Sequence, residues 1–197
     1  MKTALLIIDM QNDFLPGGSL AVASGDEIIP IINQLQSAYD LVVATQDWHP
    51  ADHGSFASQH PGRKVFEMAE LAGLPQVLWP DHCVQGSYGS DFSADLEQNR
   101  ITAIFRKGMD PQIDSYSAFF DNGHKKGTGM EGYLKGLGIE EVHLCGLAAD
   151  YCVYYSAMDA LSLGFKVAII NQATRAISLE GFEKAKQDLI ASGGQVI

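Results

Sequence analysis

Five short apolar runs, each bounded by polar residues or glycine, constrain the fold of this chain more than any other feature. The runs are ALLIID at 4–9, LVVATQD at 41–47, ITAIFRK at 101–107, VHLCGL at 142–147 and VAIIN at 167–171. Continuous apolar runs of this length are typical of strands that are buried on both faces of a parallel sheet. The chain is therefore expected to contain such a sheet.

Helical patterns lie between these runs. They are DEIIPIINQLQSAY, with Asp26 as a cap and Pro30 near the first turn, GMEGYLKGL, DYCVYYSAMDALSLG, closed by Gly164, and SLEGFEKAKQDLIASGG, opened by Ser178. Strands that alternate with helices predict a parallel sheet covered on both sides. The expected fold is therefore α/β, with three α/β/α layers around a central, mostly parallel sheet.

The length and composition predict a single domain over residues 1–197. The chain has 197 residues, of which 46% are apolar, and it contains no repeat or linker. The exception to its regular pattern is the segment from Trp48 to Asn99, which is rich in Gly, Pro and His. Connections longer than about 12–15 residues are usually functional. We therefore expect this segment to contribute to a site.

Charge and cysteine content narrow the classes of partner and the location. The formal net charge is −11, and no cluster of Lys and Arg opposes it, so nucleic acid and anionic membranes are not expected partners. The apolar run at 4–8 is too short for a signal peptide or a membrane span, which predicts a cytoplasmic protein. Cys83, Cys145 and Cys152 form no CxxC pair, so reduced thiols are expected.

Reactive side chains follow or end four of the predicted strands. Asp9 ends the first run, Asp47 the second and Lys107 the third, and Cys152 lies just past the fourth. In open parallel sheets, ligands bind outside the carboxyl ends of the strands, so these side chains are expected to converge. Taken singly, each has a structural explanation: a capping aspartate, a solvated lysine or a buried apolar thiol.

The combination of these residues favours a nucleophilic site. A thiol in the first turn of a helix is expected to favour the thiolate, a carboxylate could accept its proton, and a cation could keep that carboxylate ionised. The small residues of CGLAADYC leave backbone N–H groups free to face an oxyanion, which suits acyl transfer. Cys145 lies inside a predicted strand and is interpreted as structural, whereas Cys83 in a loop remains a competing nucleophile.

A histidine cluster offers a candidate metal site. Asp47 and His49 are two positions apart, so they point to one face of an extended strand. With His53 and His82 added, metal binding and a hydrogen-bonded polar surface are equally good interpretations. Two imidazoles and a carboxylate suit zinc, iron or manganese, and ligand chemistry does not choose among them. The remaining histidines are interpreted as structural: His60, His124 and His143.

The sequence resembles the nicotinamidases, also called pyrazinamidases, of the isochorismatase-like cysteine hydrolase superfamily. The resemblance rests on five blocks in the family's order: LLIIDMQNDFLPGGSLAV, VVATQDWHPADHGSFAS, LWPDHCVQGS, FRKGMDPQIDSYSAFFDN and CGLAADYCVYYSAMDALSLGFKV. It implies an isochorismatase-like, Rossmann-type architecture. It also implies hydrolysis of nicotinamide to nicotinate and ammonia through a cysteine thioester, with pyrazinamide as a further substrate and a role in NAD salvage.

The resemblance also implies roles for individual residues. The catalytic triad would be Asp9, Lys107 and Cys152. One divalent metal ion, with zinc favoured over iron and manganese, would be held by Asp47, His49 and His82, and His53 matches a ligand of some relatives only. The oxyanion donors would be the N–H groups of Ala148 and Cys152, with a cis peptide before Ala148. The walls of the ring pocket would be Phe14, Leu20, Trp79 and Tyr116.

Two departures from the family pattern and two alternative functions are kept in view. Ala149 stands where many relatives have Thr, and Tyr151 occupies a variable position; both could alter the shape of the pocket. One alternative is another hydrolase of the superfamily, acting on isochorismate, carbamoylsarcosine or a ureido compound, although such relatives generally lack the Asp/His set. The other is a non-enzymatic, metal-dependent protein that binds a small molecule. The oligomeric state is left open, a homo-oligomer included.

Overall fold

The computed structural model describes residues 2–197, which contain eight strands and four α-helices. The strands are β1 (Thr3–Ile8), β2 (Leu41–Asp47), β3 (Met68–Leu71), β4 (Leu74–Val77), β5 (Ile101–Lys107), β6 (Glu141–Gly146), β7 (Lys166–Thr174) and β8 (Gln195–Val196). The helices are α1 (Ile29–Leu35), α2 (Met130–Gly136), α3 (Tyr154–Ser162) and α4 (Leu179–Ala191). None of the helices in this part of the chain has the length and apolar character needed to cross a lipid bilayer.

Six of the strands form one parallel sheet in the order β5-β2-β1-β6-β7-β8. The first strand of the chain lies near the middle, because β1 pairs with β2 on one side and with β6 on the other. The strand order therefore reverses between β1 and β6, which is where open α/β sheets bind their ligands. The predicted parallel sheet is confirmed.

Alternate side chains of β1 belong to two separate cores, one on each face of the sheet. Leu5 and Ile7 pack in a core with residues of α1, whereas Leu6 and Ile8 pack in a core with residues of α2, α3 and α4. Because successive side chains of a strand point to opposite faces, a strand covered on both faces must be apolar at every position. Each buried Leu or Ile contributes about 1.5–3 kcal/mol through burial of apolar surface. The three-layer prediction is confirmed.

The strand β5 differs from its prediction, because it is not buried on both faces. It forms the edge of the sheet beside β2, and its residues Thr102, Ile104 and Arg106 are exposed. Its last residue, Lys107, is nevertheless only 2% exposed. The edge position explains the exposure of the middle of the strand, whereas its carboxyl end is covered by the loops that follow the neighbouring strands.

The segment from Trp48 to Asn99 is not a structureless connection. It contains the antiparallel hairpin of β3 and β4, which the sequence analysis missed because these short strands are only weakly apolar. Isolated bridges join His49 to Val84 within the segment and Gln11 to Phe92, which ties it to the loop after β1. The segment therefore lies over the carboxyl edge of the sheet.

The ends of two helices test the predicted capping residues. Ser178 precedes α4, and its hydroxyl accepts a hydrogen bond from the N–H of Gly181, as expected of an N-cap. The prediction that Asp26 caps α1 is wrong. Asp26 lies inside a 3₁₀ turn over Gly25–Ile28, and this turn moves the start of α1 to Ile29. Pro30 occupies the first turn, as expected.

Candidate active site

The carboxyl ends of β1, β2 and β5 bring three charged side chains together. Asp9 directly follows β1, and Asp47 and Lys107 are the last residues of β2 and β5, where they are partners in the strand register. The Lys107 ammonium nitrogen Nζ lies 2.9 Å from Asp9 Oδ2, and it also contacts Asp47 Oδ1. The predicted convergence at this edge is therefore observed for these residues.

Cys152 joins this group from the segment after β6. Its Sγ lies 3.5 Å from Lys107 Nζ, and its sulfur and a carboxylate oxygen of Asp9 lie within 4.8 Å of each other. Asp9 is fully buried, and Lys107 and Cys152 are 2% and 6% exposed. The structure thus places a thiol, a carboxylate and an ammonium within reach of one another and away from bulk water.

Asp9 is held in a conformation that suits a proton acceptor. Thr45 Oγ1 donates to Asp9 Oδ1 at 2.6 Å and accepts from the Asp9 N–H at 3.2 Å. The backbone φ of Asp9 is +48°, a left-handed value that this clasp helps to maintain. Within residues 2–197, Asp9 Oδ2 has no hydrogen-bond partner, although it lies beside the Lys107 charge. Burial, with help from Asp47 and against Lys107, raises the pKa of Asp9.

The Cys152 thiol is protonated at rest, which contradicts the expectation of a helix-stabilised thiolate. Cys152 lies in a π-helical turn, Ala149–Val153, that leads directly into α3. Burial raises the pKa of Cys152 well above its usual value; Lys107 opposes this effect, and the carboxylates of Asp9 and Asp47 add to it. A short helical start does not offset this depth of burial. Attack by this sulfur therefore requires a base.

The other two cysteines are placed differently. Cys145 lies in β6 and is fully buried in the core, where burial raises its pKa. Cys83 is also buried, and its N–H donates to Asp13 Oδ2 at 2.7 Å. All three thiols are free, as expected. Only Cys152 has its sulfur beside both an ammonium and a carboxylate in the part of the chain described.

Asp47, His49 and His82 form a compact set of potential metal ligands. Asp47 Oδ2 lies 3.6 Å from His49 Nε2 and 3.8 Å from His82 Nε2, and all three side chains are nearly fully buried. Ligand distances of about 2.0–2.2 Å around a zinc-like ion place neighbouring donor atoms about 3–4 Å apart. The observed separations therefore fit three donors around one ion.

The two imidazoles of this set are oriented by backbone carbonyls. His49 Nδ1 donates to Gly108 O at 2.8 Å, and His82 Nδ1 donates to Pro80 O at 2.8 Å. A carbonyl only accepts, so each Nδ1 carries the hydrogen and each Nε2 presents its lone pair towards Asp47. Gly108 has φ +65°, and a Cβ at this position would overlap the His49 ring. Only glycine leaves room for the ligand here.

The charge at this set favours a cation. Burial alone raises the pKa of Asp47, but Lys107 and His49 outweigh burial and hold the pKa of this carboxyl well below its usual value. Asp47 is therefore ionised, and it faces two imidazole lone pairs. A carboxylate with two neutral imidazoles is a donor set for a divalent transition metal. The residues present fit a divalent metal ion.

His53 lies beside this set without completing it. Its Nδ1 bonds to Ser55 Oγ at 2.7 Å, and its ring centroid is 4.3 Å from that of His49. Its Nε2 is buried and has no hydrogen-bond partner within residues 2–197. Burial, helped by the neighbouring His49, lowers the pKa of His53 to about 4. An unpartnered neutral imidazole nitrogen fits a ligand or a partner for ligand-bound water, so the role of His53 stays a prediction.

A cavity of about 330 Å³ contains both the thiol and the metal set. Its lining includes Cys152, Asp47 and His82. The four residues that the resemblance assigns to the ring pocket all line it as well: Phe14, Leu20, Trp79 and Tyr116. Flat apolar walls with a few convergent polar groups are typical of a site for a small aromatic molecule.

The segment before Cys152 contributes backbone to the same cavity. Ala148 lines it, and the Leu147–Ala148 peptide bond is cis, as the resemblance implies. Among residues 2–197, the Ala148 N–H donates to no protein acceptor. Of the two departures, Ala149 is buried in the core, whereas Tyr151 lines the cavity and meets Trp79 edge to face at 4.9 Å. Tyr151 is therefore the departure that shapes the pocket.

Comparison with known protein families places this site in context. The sequence model of the Isochorismatase domain matches residues 3–197. The chain belongs to the isochorismatase family. It is 48% identical over 186 residues to the nicotinamidase of Escherichia coli strain K12, across 92% of this chain and 87% of the relative. It is 47% identical over 195 residues to the nicotinamidase of Acinetobacter baylyi, across 98% of this chain and 91% of the relative.

Solved structures of isochorismatase-family proteins share the fold and carry ligands. A nicotinamidase and pyrazinamidase of Acinetobacter baumanii superposes with a TM-score of 0.97 at 48% identity, over 100% of this chain and 95% of that one. An L. infantum relative in complex with nicotinate gives 0.88 at 39% identity, over 100% and 92%. A Pyrococcus horikoshii pyrazinamidase in complex with zinc gives 0.80 at 35% identity, over 100% and 99%.

The sequence analysis missed two buried polar residues of this isochorismatase-family site. Gln11 Oε1 accepts from the Asp47 N–H at 2.9 Å, and Gln11 Nε2 donates to Asp47 O at 2.8 Å and to Ser90 O at 2.9 Å. Gln11 thus holds the backbone of Asp47. The second residue is Asp114, a buried carboxylate that lines the cavity. Asp114 lies inside a block that carried the resemblance, but no signal separates either residue from a surface polar group.

Proposed function

We propose that this chain hydrolyses nicotinamide to nicotinate and ammonia. The observation that carries the proposal is that Cys152, Asp47 and His82 line one cavity, with aromatic walls that suit a flat ring. The closely similar nicotinamidases of Escherichia coli and Acinetobacter baylyi confirm the activity predicted from the sequence, and nicotinate formation fits a role in NAD salvage. We propose further that residues 1–197 form one domain. The cytoplasmic location stays a prediction.

In the proposed acylation step, Asp9 acts as the base and Cys152 as the nucleophile. Asp9 Oδ2 has an unused lone pair and a raised pKa, so it can take the thiol proton. The sulfur then adds to the carboxamide carbon. The N–H groups of Ala148 and Cys152 are proposed to stabilise the oxyanion. Asp9 returns the proton to the departing nitrogen, the C–N bond breaks, and ammonia leaves a thioester on Cys152.

In the proposed deacylation step, the same residues act on water. Asp9 takes a proton from a water molecule that adds to the thioester carbon, and the oxyanion again faces the two N–H groups. The C–S bond breaks, nicotinate forms, and the proton returns to the sulfur of Cys152. Lys107 lies 2.9 Å from Asp9 Oδ2 and 3.5 Å from Cys152 Sγ, so its charge stabilises whichever of the two groups is negative.

We propose zinc as the ion of the metal set, held by Asp47, His49 and His82. The zinc complex of the Pyrococcus relative and the mixed nitrogen and oxygen donors support this choice. When bound, the ion would supply a Lewis-acidic contact for the ring nitrogen of the substrate. Gln11 would keep Asp47 in place through its two backbone hydrogen bonds.

The proposed function predicts ammonia release that depends on the ring nitrogen. Purified protein loaded with zinc is expected to release ammonia from nicotinamide, and kcat/KM for benzamide, which lacks the nitrogen, is expected to be at least about 100-fold lower, because a metal contact is worth several kcal/mol. A coupled glutamate dehydrogenase assay measures both. Failure of the zinc-loaded protein to deamidate nicotinamide, or equal rates on both amides, would contradict the proposal.

The role of His53 is testable by metal content. We expect His53→Ala to weaken zinc binding by about 10- to 100-fold, the range found for residues that support a metal ligand. Asp47→Ala is expected to abolish stoichiometric binding. Competition with a chromophoric chelator measures the affinity, and His60→Ala is the matched control, because His60 bonds only to Gly54 O at 2.7 Å. An unchanged affinity in His53→Ala would exclude His53 from the metal site.

A further inference from the structure

Gln76 is a buried amide that the proposed mechanism does not use. It lies in β4 and is only 3% exposed, whereas the other residues of the β3–β4 hairpin are exposed or half-buried. Its Nε2 lies 2.8 Å from Val77 O, 2.9 Å from Asp114 Oδ2 and 3.0 Å from Tyr116 Oη. An amide nitrogen has two hydrogens, so these three acceptors share them. This one side chain therefore joins the hairpin to the residues of the cavity.

The contacts of Gln76 converge on the aromatic wall of the cavity. Tyr116 Oη also accepts from Trp79 Nε1 at 3.3 Å, and the two rings meet edge to face at 6.2 Å. Tyr116 and Trp79 both line the cavity. A phenol oxygen that accepts from two fixed donors has little freedom to rotate or shift. Gln76 and Trp79 together hold the Tyr116 ring in one place.

The same amide holds the carboxylate of Asp114. Asp114 Oδ1 accepts from the Ser115 N–H at 2.8 Å, and Oδ2 accepts from Gln76. Asp114 is 3% exposed and lines the cavity. A buried carboxylate that loses a donor must find a new partner or admit water. Without Gln76, both Asp114 and Tyr116 would be free to move at the place where the ring of the substrate lies.

We propose that Gln76 is a positioning residue, which acts through Tyr116 and Asp114 to fix the shape of the ring pocket and so sets the affinity for a pyridine carboxamide. This inference rests on the proposed function. Gln76 contacts none of Asp9, Lys107 and Cys152 among its hydrogen-bond partners. Its loss should therefore affect binding of the ring and leave the chemical step largely unchanged.

The test separates KM from kcat. Gln76→Met keeps the size of the side chain and removes the donor, and we expect KM for nicotinamide to rise about 10-fold with kcat within about twofold of wild type. Gln76→Glu also removes the donor and adds a negative charge beside Asp114, so a rise of about 100-fold is expected. The Kd of nicotinate, measured by isothermal titration, should rise in parallel with KM.

Gln36→Met is the matched control. Gln36 is fully buried and donates to Glu97 O at 2.8 Å, and neither residue lines the cavity. Both Met variants should lower Tm, but only Gln76→Met should raise KM and the Kd of nicotinate. If the two variants lowered Tm alike and left KM and Kd at wild-type values, Gln76 would be merely structural. Absence of ammonia release by the wild-type protein would instead overturn the proposed function.

A second variant keeps the test decisive if Gln76→Met does not fold. Tyr116→Phe removes the hydroxyl that Gln76 holds, and we expect KM to rise about 5-fold with little change in kcat. Where both variants fold, their combination should raise KM by less than the product of the single effects, because both remove the same contact. Multiplicative effects in the double variant, or an unchanged KM in Tyr116→Phe, would overturn the inference.

Discussion

Replacement of Cys152 by alanine is expected to lower kcat for nicotinamide hydrolysis by at least about 10⁴-fold, the scale seen when a nucleophile is removed. The sulfur is the only group of its kind beside both Lys107, at 3.5 Å, and a carboxylate of Asp9 in the part of the chain described. Because the thiol is buried and protonated at rest, no neighbouring thiol can substitute for it. Ammonia release and the Kd of nicotinate, measured on the same preparation, would show lost chemistry with retained binding.

The other cysteines supply the controls for this prediction. Cys145→Ala removes a fully buried thiol from the core, so it should lower stability by about 1 kcal/mol and leave kcat close to wild type. Cys83→Ala should also retain activity, since the loop is held by the Cys83 backbone N–H and not by its sulfur. Near-normal activity in Cys152→Ala, together with inactivity in Cys83→Ala, would reverse the assignment of the nucleophile.

The positions of the charged residues could be predicted from the sequence because they depend on strand ends. Asp9, Asp47 and Lys107 end apolar runs, and parallel strands bring such ends to one edge. The sheet, the helices and the ring walls implied by the resemblance were predictable for the same reason: each depends on a local pattern or motif. The edge position of β5 was not, since the apolar run alone does not say which strands have two neighbours.

What could not be predicted depends on contacts between distant segments. Gln11, Gln76 and Asp114 are buried by segments far away in the chain, and a polar residue in a loop carries no mark of that burial. The predicted thiolate of Cys152 failed for a related reason. The start of a helix is visible in the sequence, but the depth of burial, which controls the pKa of the thiol, is set by tertiary packing.

Replacement of Lys107 by methionine is expected to abolish activity and also to destabilise the fold. Lys107 has no exposed side-chain surface, and it neutralises two buried carboxylates, Asp9 and Asp47. Removing one partner of a buried ion pair typically costs about 3–5 kcal/mol, because a charge is left uncompensated. A bound divalent ion would compensate Asp47 but not Asp9. Lys107→Met should therefore lose more stability in the presence of a chelator than in zinc, as measured by urea unfolding.

A double variant distinguishes this charge effect from a loss of packing. Asp9→Asn combined with Lys107→Met removes both members of the pair, and we expect the combination to be more stable than Lys107→Met alone, because no uncompensated charge remains at Asp9. Both variants should be inactive, since Asp9 supplies the base. Lys166→Met, at an exposed position of β7, is the matched control and should change the free energy of unfolding by less than about 0.5 kcal/mol. If the double variant were no more stable than Lys107→Met, the cost would come from packing around the lysine side chain, and the buried charge of Asp9 would not be its cause.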